Sequence, residues 1–379
     1  MEPQIRRALV ATFIARSALN GVLRIVYPFL PAIARGLDVT PTAVSSVIAL
    51  RNLGGFASPF VARATEKSGR RLLMIATMTL GTVGCLFTAA APGLVVAGIG
   101  IVMVGFAKPG FDISMQGWFG DRVPYGERGR VFGITEFTWA FALLVTVPIS
   151  GVLIEATNWR APFVLIAVMC ALGTIAIARG IATDRPTEHV RRPLKLTRER
   201  VLLLVAVLLF SLASEVPFIV YGQWLEGSFG FSVASIGAFT LVIVAAELLG
   251  QAAVVFLGDK LGLRAMFLWG LIVTAVAYIA FNVADSAPLA AMVVIVWIVA
   301  FEITIVAAIP FASEMAVESR DRMLSGFAMM VSGGRAVGAL VAQPLFSWGG
   351  IGGAGTFSSV CVVIAALALL GVPERSAQP

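Results

Sequence analysis

The chain has 379 residues, 59% of them hydrophobic and only 13% charged, with a mean hydropathy of +0.94. A water-soluble domain carries roughly 25% charged residues, so these charges are too few to cover a soluble protein of this length and the apolar side chains must face lipid. The formal charge of +7 does not imply nucleic-acid binding, because Lys and Arg fall in short clusters between apolar runs, as in loops at one membrane face.

A helix needs about 20 apolar residues to cross the hydrocarbon core. Runs of that size lie near 9–33, 42–62, 72–91, 93–118, 131–154, 161–181, 201–225, 233–257, 264–284, 288–312, 323–347 and 351–372. The first is too long for a signal-peptide core and is expected to be retained as a helix. Arg6 and Arg7 precede it. Further basic clusters follow the second run (Arg63, Lys67, Arg70, Arg71) and the fourth (Arg122, Arg128, Arg130). The series continues with Arg185 to Arg200 after the sixth, Lys260 and Arg264 after the eighth, Arg320 and Arg322 after the tenth, and Arg375 after the last. The alternate connections hold little beyond Arg35 and Arg160. The positive-inside rule then puts both termini and every second loop in the cytoplasm. That requires an even number of spans, which twelve satisfies. The expected architecture is an all-α integral membrane protein of twelve transmembrane helices in two pseudo-symmetric six-helix bundles, 1–182 and 201–379, joined by a polar cytoplasmic linker over 183–200. Cys85, Cys170 and Cys361 sit inside apolar runs and read as buried free thiols.

The halves repeat. Tyr27 to Leu30 corresponds to Tyr221 to Trp224, Glu66-Lys67-Ser68-Gly69-Arg70-Arg71 to Asp259-Lys260-Leu261-Gly262-Leu263-Arg264, and Arg128-Gly129-Arg130 to Arg320-Asp321-Arg322. Parallel repeats about an axis along the membrane normal characterise transporters.

Ten ionisable residues fall inside the apolar runs: Arg16, Arg24, Arg51, Lys108, Asp112, Glu136, Glu215, Glu247, Glu302 and Arg335. Each costs about 3 kcal/mol at the centre of a bilayer on insertion scales, so each is expected to be paired or functional. Arg16, Asn20 and Arg24 follow one another at i, i+4 and i+8 on one helix face, which lipid would penalise and a central cavity would accept. Lys108 and Asp112 are an i, i+4 pair, and Pro109 between them is expected to bend the fourth span. Glu302 with Arg335 is a candidate pair, Glu136 a candidate partner for a cytoplasmic arginine, and Glu247 with Gln251 a candidate helix–helix contact. Burial opposes the charged form of a carboxyl and a neighbouring base favours it, so Asp112, Glu215 and Glu302 are candidates to carry a coupling proton. Mid-span aromatics, including Phe141, Phe210, Tyr221, Trp224, Trp297 and Phe301, are candidates for an apolar substrate surface.

On its loop motifs the chain resembles the major facilitator superfamily. Glu66, Lys67, Gly69, Arg70 and Arg71 match the family's signature between spans two and three, with Ala62 at the leading glycine. Asp259, Lys260, Gly262 and Arg264 form the second copy, with Val255 at that place. Asp121, Pro124, Glu127, Arg128, Gly129, Arg130 and Gly133 match the loop after span four, and Trp159-Arg160-Ala161-Pro162-Phe163 the entry to span six. Within the family the chain looks most like bacterial drug:proton antiporters. The basic residue usual early in span four is replaced near Ile101, and in the span-five motif Pro148 and Gly151 are present while Val147 and Val152 stand at glycines.

The resemblance implies a secondary active transporter of a small organic solute, working by alternating access and proton-coupled export, as a monomer in the inner membrane. Spans 1, 4, 7 and 10 would line its cavity, with Arg16, Asn20, Arg24, Arg51, Lys108, Tyr221 and Arg335 as candidate substrate contacts. Glu66, Lys67, Gly69, Arg70, Arg130, Asp259 and Arg264 would form a cytoplasmic gate, Glu66 pairing with Arg130 or a helix N-terminus. Import of a small anionic solute is the alternative within that class, and a non-transporting receptor or scaffold the alternative outside it. One histidine and no Gly-Lys-Ser/Thr phosphate loop leave no expectation of a metal, a cofactor, an ATP-driven pump or an enzyme.

Overall fold

The computed structural model describes residues 2–183, 194–316 and 319–373, apart from the side chains of Ala62, Glu66, Tyr125, Arg128, Phe132, Asp259 and Asp321. Among the described residues every regular element is a helix. In chain order these are α1 (Pro3–Ile25), α2 (Leu30–Leu37), α3 (Pro41–Asn52), α4 (Ser58–Ser68), α5 (Arg70–Ala89), α6 (Leu94–Arg122) and α7 (Tyr125–Phe141). They continue with α8 (Val147–Ala156), α9 (Ala161–Gly180), α10 (Arg198–Phe229), α11 (Val233–Leu261), α12 (Leu263–Ala280), α13 (Ala287–Glu314) and α14 (Arg320–Leu370).

Ten stretches of described residues are long and apolar enough to cross a membrane, and Leu30–Leu37 with Pro41–Val61, bent by 114° at the break between them, make an eleventh as one span. The twelfth lies within α14. Its 51 residues would measure about 77 Å as one straight helix, more than twice the hydrocarbon core of about 30 Å. The chain folds back at Gly349 (φ −140°, ψ 21°) and Gly350 (φ 58°, ψ −156°), where only the second needs the left-handed freedom of glycine. Exposed Val95, Phe256 and Trp269 belong to the wide apolar surface that lipid must cover.

Prolines move the predicted boundaries. The run 9–33 is not one helix: α1 stops at Ile25, because Pro28 disfavours helical geometry at Tyr27, and Pro31 opens α2 instead. The run 131–154 is two helices around a wide turn at Ala142–Thr146. Pro148 has no N–H for the carbonyl of Leu144, and the wider π turn absorbs the missing bond.

The chain forms two compact units, Met1–His189 with Phe231–Thr240, and Val190–Gly230 with Leu241–Pro379. Glycines set the helix spacing inside each. In the first, a Cβ on Gly54 would lie 2.1 Å from the carbonyl oxygen of Gly105, so α6 touches the 3-10 turn Leu53–Ala57 backbone to backbone. In the second, Cβ atoms on Gly334 and Gly338 of α14 would lie 2.3 and 2.5 Å from the carbonyls of Leu208 and Leu212 on α10. The atoms that would be struck are backbone and cannot rotate away.

Candidate functional site

In the first unit, three helices bring their polar residues to one place. Arg16 on α1 is buried, and its Nε donates to Asp112 Oδ1 on α6 at 3.0 Å. Its Nη1 donates to the Thr135 carbonyl at 2.6 Å, and its Nη2 lies 2.9 Å from Glu136 Oε1, both on α7. The other Asp112 oxygen holds Lys108, one turn back on the same helix, as the i, i+4 spacing requires. Asn20 donates to the Thr138 hydroxyl at 2.9 Å, which donates to the Thr135 carbonyl at 2.6 Å. This leaves the buried Asn20 Oδ1 with no hydrogen-bond donor.

Trp139 sits between two cations. The Lys108 ammonium is 4.9 Å and the Arg24 guanidinium 5.0 Å from its ring centroid, within cation–π range. The face carrying Arg16, Asn20 and Arg24 therefore meets α7. Glu136, whose candidate partner was a cytoplasmic arginine, meets Arg16 of α1. Arg16 reaches it because Glu136, Thr135 and Trp139 share one face of α7. That face was readable from their spacing, yet Thr135, Thr138 and Trp139 escaped notice because they carry no charge.

Arg51, in the second span, is also buried. Its guanidinium donates to the Leu23 carbonyl at 3.1 Å, the Tyr27 hydroxyl at 2.6 Å and Asn52 Oδ1 at 2.9 Å. Among the described residues no carboxylate pairs with it. Of the charges set inside this unit's apolar runs, Arg16, Arg24, Arg51 and Lys108 are bases, and Asp112 and the exposed Glu136 are acids.

The second unit reverses that balance, with Glu215, Glu247 and Glu302 against Arg335. Glu215, wholly buried on α10, accepts from Arg335 Nε on α14 at 2.7 Å. Glu302 on α13 accepts from Gln251 Nε2 on α11 at 3.1 Å. Arg335, the candidate partner of Glu302, meets Glu215, and Gln251 makes the helix–helix contact expected of Glu247 and Gln251, from α11 to Glu302 on α13. Both choices follow from glycine contacts. Gly338 brings α14 against the Cβ of Glu215, and Gly250 brings α11 against the Cβ of Glu302. Tyr221 is buried on α10. Phe218, Trp297 and Tyr278 pack together, with centroids 4.7 Å apart for Phe218–Trp297, and Trp297 Nε1 donates to the Tyr278 hydroxyl at 3.1 Å. Phe210 stacks on Phe301 at 5.4 Å, and Trp224 packs on Phe229 and Phe281. Most of these aromatics fill the core of the unit.

The loop signatures share one geometry. Gly69 (φ 80°, ψ 154°) and Gly262 (φ 82°, ψ 141°) occupy the same glycine-only region, each closing the preceding helix by donating to the residue four back. Gly69→Ala is expected to cost about 1–3 kcal/mol, measured as a lowered unfolding midpoint in detergent; an unchanged midpoint would show that the turn is not strained. Arg70 pairs with Asp121 and donates to the Gly117 carbonyl at 2.8 Å, tying α5 to the end of α6. Arg71 donates to the Ala178 carbonyl at 2.5 Å near the end of α9. Its repeat mate Arg264 donates to the Val372 carbonyl at 2.7 Å, just past the end of α14. Both put a cation where a helix leaves its last carbonyls open. Arg71 was thus missing from the expected gate set, although its place in the repeat pointed to it. Lys67 and Arg130 are exposed. The Glu66 and Asp259 side chains lie outside the described residues.

A sequence profile of the Major Facilitator Superfamily matches residues 9–205 and 203–379. The chain is 26% identical over 140 residues to an uncharacterized MFS-type transporter, YwfA, of Bacillus subtilis (strain 168), covering 37% of this chain and 34% of that one. The chain spans about a third of the length of that curated relative and about two fifths of the next. Among solved structures, a POT family transporter in complex with a thioalcohol-conjugated peptide superposes with a TM-score of 0.82 at 14% identity, covering 97% of this chain and 95% of that one. The nucleoside transporter NupG gives 0.79 at 14% identity, covering 98% and 100%. At such identities the likeness shows the fold. The profile matches run almost from end to end, over a chain whose two halves repeat the same glycine turn and the same arginine cap. The chain belongs to the major facilitator superfamily of transporters.

Proposed function

We propose that this membrane transporter is a secondary active transporter that exports a small organic solute in exchange for protons, by alternating access. The observation that carries the proposal is the set of buried acids inside the spans, held by partners that a small movement would break. Asp112 is shared by Arg16 and Lys108, Glu215 is held by Arg335, and Glu302 by Gln251. Ionisable residues at this depth are costly and are retained for function or pairing. Asp112, Glu215 or Glu302 carries the proton. Arg16, Asn20, Arg24, Arg51, Lys108, Tyr221 and Arg335 shape the solute's surroundings. Glu66, Lys67, Gly69, Arg70, Arg130, Asp259 and Arg264, together with Arg71, form the cytoplasmic latch. The chain works as a monomer in the inner membrane with both termini cytoplasmic, as bundles 1–182 and 201–379 joined by 183–200. Residues 184–193 of that linker, with His189, lie outside the described residues.

A second reading is import of a small anionic solute. Arg51, buried with no carboxylate partner among the described residues, and the excess of bases in the first unit favour it. The test is purified protein in proteoliposomes with an imposed pH gradient, offered benzoate and tetraphenylphosphonium as probes, with flux counted only in excess of that in protein-free liposomes, because both probes cross lipid unaided. Tetraphenylphosphonium accumulation that collapses with the gradient supports proton-coupled export. Uptake of benzoate alone supports the second reading, and flux that ignores the gradient rules out proton coupling. Absence of flux for both probes points to the receptor or scaffold class.

A further inference from the structure

A cleft of about 450 Å³ lies between the start of α1 and the end of α9, both in the first unit. Arg6, Arg7 and Arg179 line its rim, and Val10, Ala11, Ile14 and Ala176 its floor, with Gly180 beside them. The lining follows helix spacing. Arg6, Val10 and Ile14 are i, i+4 and i+8 on α1, and Ala176, Arg179 and Gly180 are i, i+3 and i+4 on α9. From Arg6 to Ile14 the floor runs about 12 Å into the apolar part of α1. Val10 and Ile14 are exposed, and so are all three arginines. Gly180 lets the two helices meet, because a Cβ there would lie 2.8 Å from Ala11 Cβ.

Three guanidinium groups thus crown an apolar trough on a lipid-facing surface, and among the described residues no acid lines it. Among the described residues none of the three pairs with a carboxylate. The repeat sharpens the point. Arg200 stands 193 residues after Arg7, within the offset of the other repeated motifs. Arg200 is buried and spent on backbone, donating to the Met315 carbonyl at 3.0 Å and the Lys195 carbonyl at 2.7 Å. Arg7 is left facing the cleft.

We infer that this cleft binds an anionic phospholipid. The arginines take the phosphate through charge-assisted hydrogen bonds, and an acyl chain lies along Val10, Ala11, Ile14 and Ala176. Zwitterionic lipids carry a compensating cation and bind less well. The bound lipid bridges α1 and α9, so it stabilises the first unit.

The test is native mass spectrometry of the full-length protein with phosphatidylglycerol and phosphatidylcholine of identical chains at equal concentration. The expected result is one retained phosphatidylglycerol per chain, with phosphatidylcholine lost first. Each arginine changed to Gln weakens retention about five-fold, so Arg6→Gln/Arg7→Gln/Arg179→Gln nearly abolishes it. The matching Lys variant keeps retention, because the charge remains. Should the triple Gln variant fail to insert, Arg179→Gln with Ile14→Asn leaves the N-terminal charges in place and is expected to weaken retention as well. Equal retention of the two lipids, full retention in the Gln variants, loss in the Lys variant, or displacement by 10 mM inorganic phosphate each overturns the assignment.

Discussion

Asp112→Asn is expected to destabilise the protein by about 3–5 kcal/mol, the cost of breaking a buried ion pair from one side. Asp112 uses one oxygen for Arg16 and the other for Lys108. Without its charge, Arg16 still has Glu136 and the Thr135 carbonyl. Lys108, only 6% exposed, keeps the face of Trp139 and at most a neutral amide oxygen at position 112, and a cation–π contact is worth about 2 kcal/mol at best. The uncompensated ammonium therefore dominates the loss. Unfolding by SDS in mixed micelles measures the effect, and adding Lys108→Met should recover most of it. An Asp112→Asn protein as stable as the parent would show that the network does not hold α1, α6 and α7 together.

In the second unit the two ends of an ion pair should behave unequally. The Glu215 side chain is fully buried, whereas that of Arg335 is 35% exposed. Arg335→Gln takes the guanidinium away from a carboxylate in the interior between α10 and α14, and about 3 kcal/mol of stability should go with it. Glu215→Gln leaves a guanidinium that can turn toward water along its long stem, and the expected loss is about 1 kcal/mol. Equal losses from the two variants would refute the asymmetry. Transport separates stability from coupling. If Glu215 carries the proton, Glu215→Gln uncouples solute flux from the pH gradient while the protein stays folded.

The span count and the repeat were legible because they rest on consecutive residues. Apolar runs report hydrocarbon thickness, basic clusters report one membrane face, and Gly69 and Gly262 announce a turn that other residues resist. The Lys108–Asp112 pair was legible for the same reason, since both residues stand on one helix a turn apart. Arg71 and Arg264 could be matched through the repeat, and their helix-capping role followed once the ends of α9 and α14 were seen beside them.

The partners of the other buried charges were decided by tertiary structure. Glu302 and Arg335 have compatible charges and depths, and nothing along the chain places Arg335 beside Glu215 or Gln251 beside Glu302. Gly338 admits α14 against Glu215, and Gly250 admits α11 against Glu302, so contact between helix backbones sets which long side chains can meet. Arg51 is the converse case. Its depth was plain from the apolar run around it, but only packing revealed that Tyr27, Leu23 and Asn52 surround it instead of an acid. Sequence by itself determined how many spans there are and that their interiors are charged, because those properties are local and additive. Which charge balances which depends on distances of a few ångströms between helices far apart in sequence, and these exist only once the glycine-lined faces have packed.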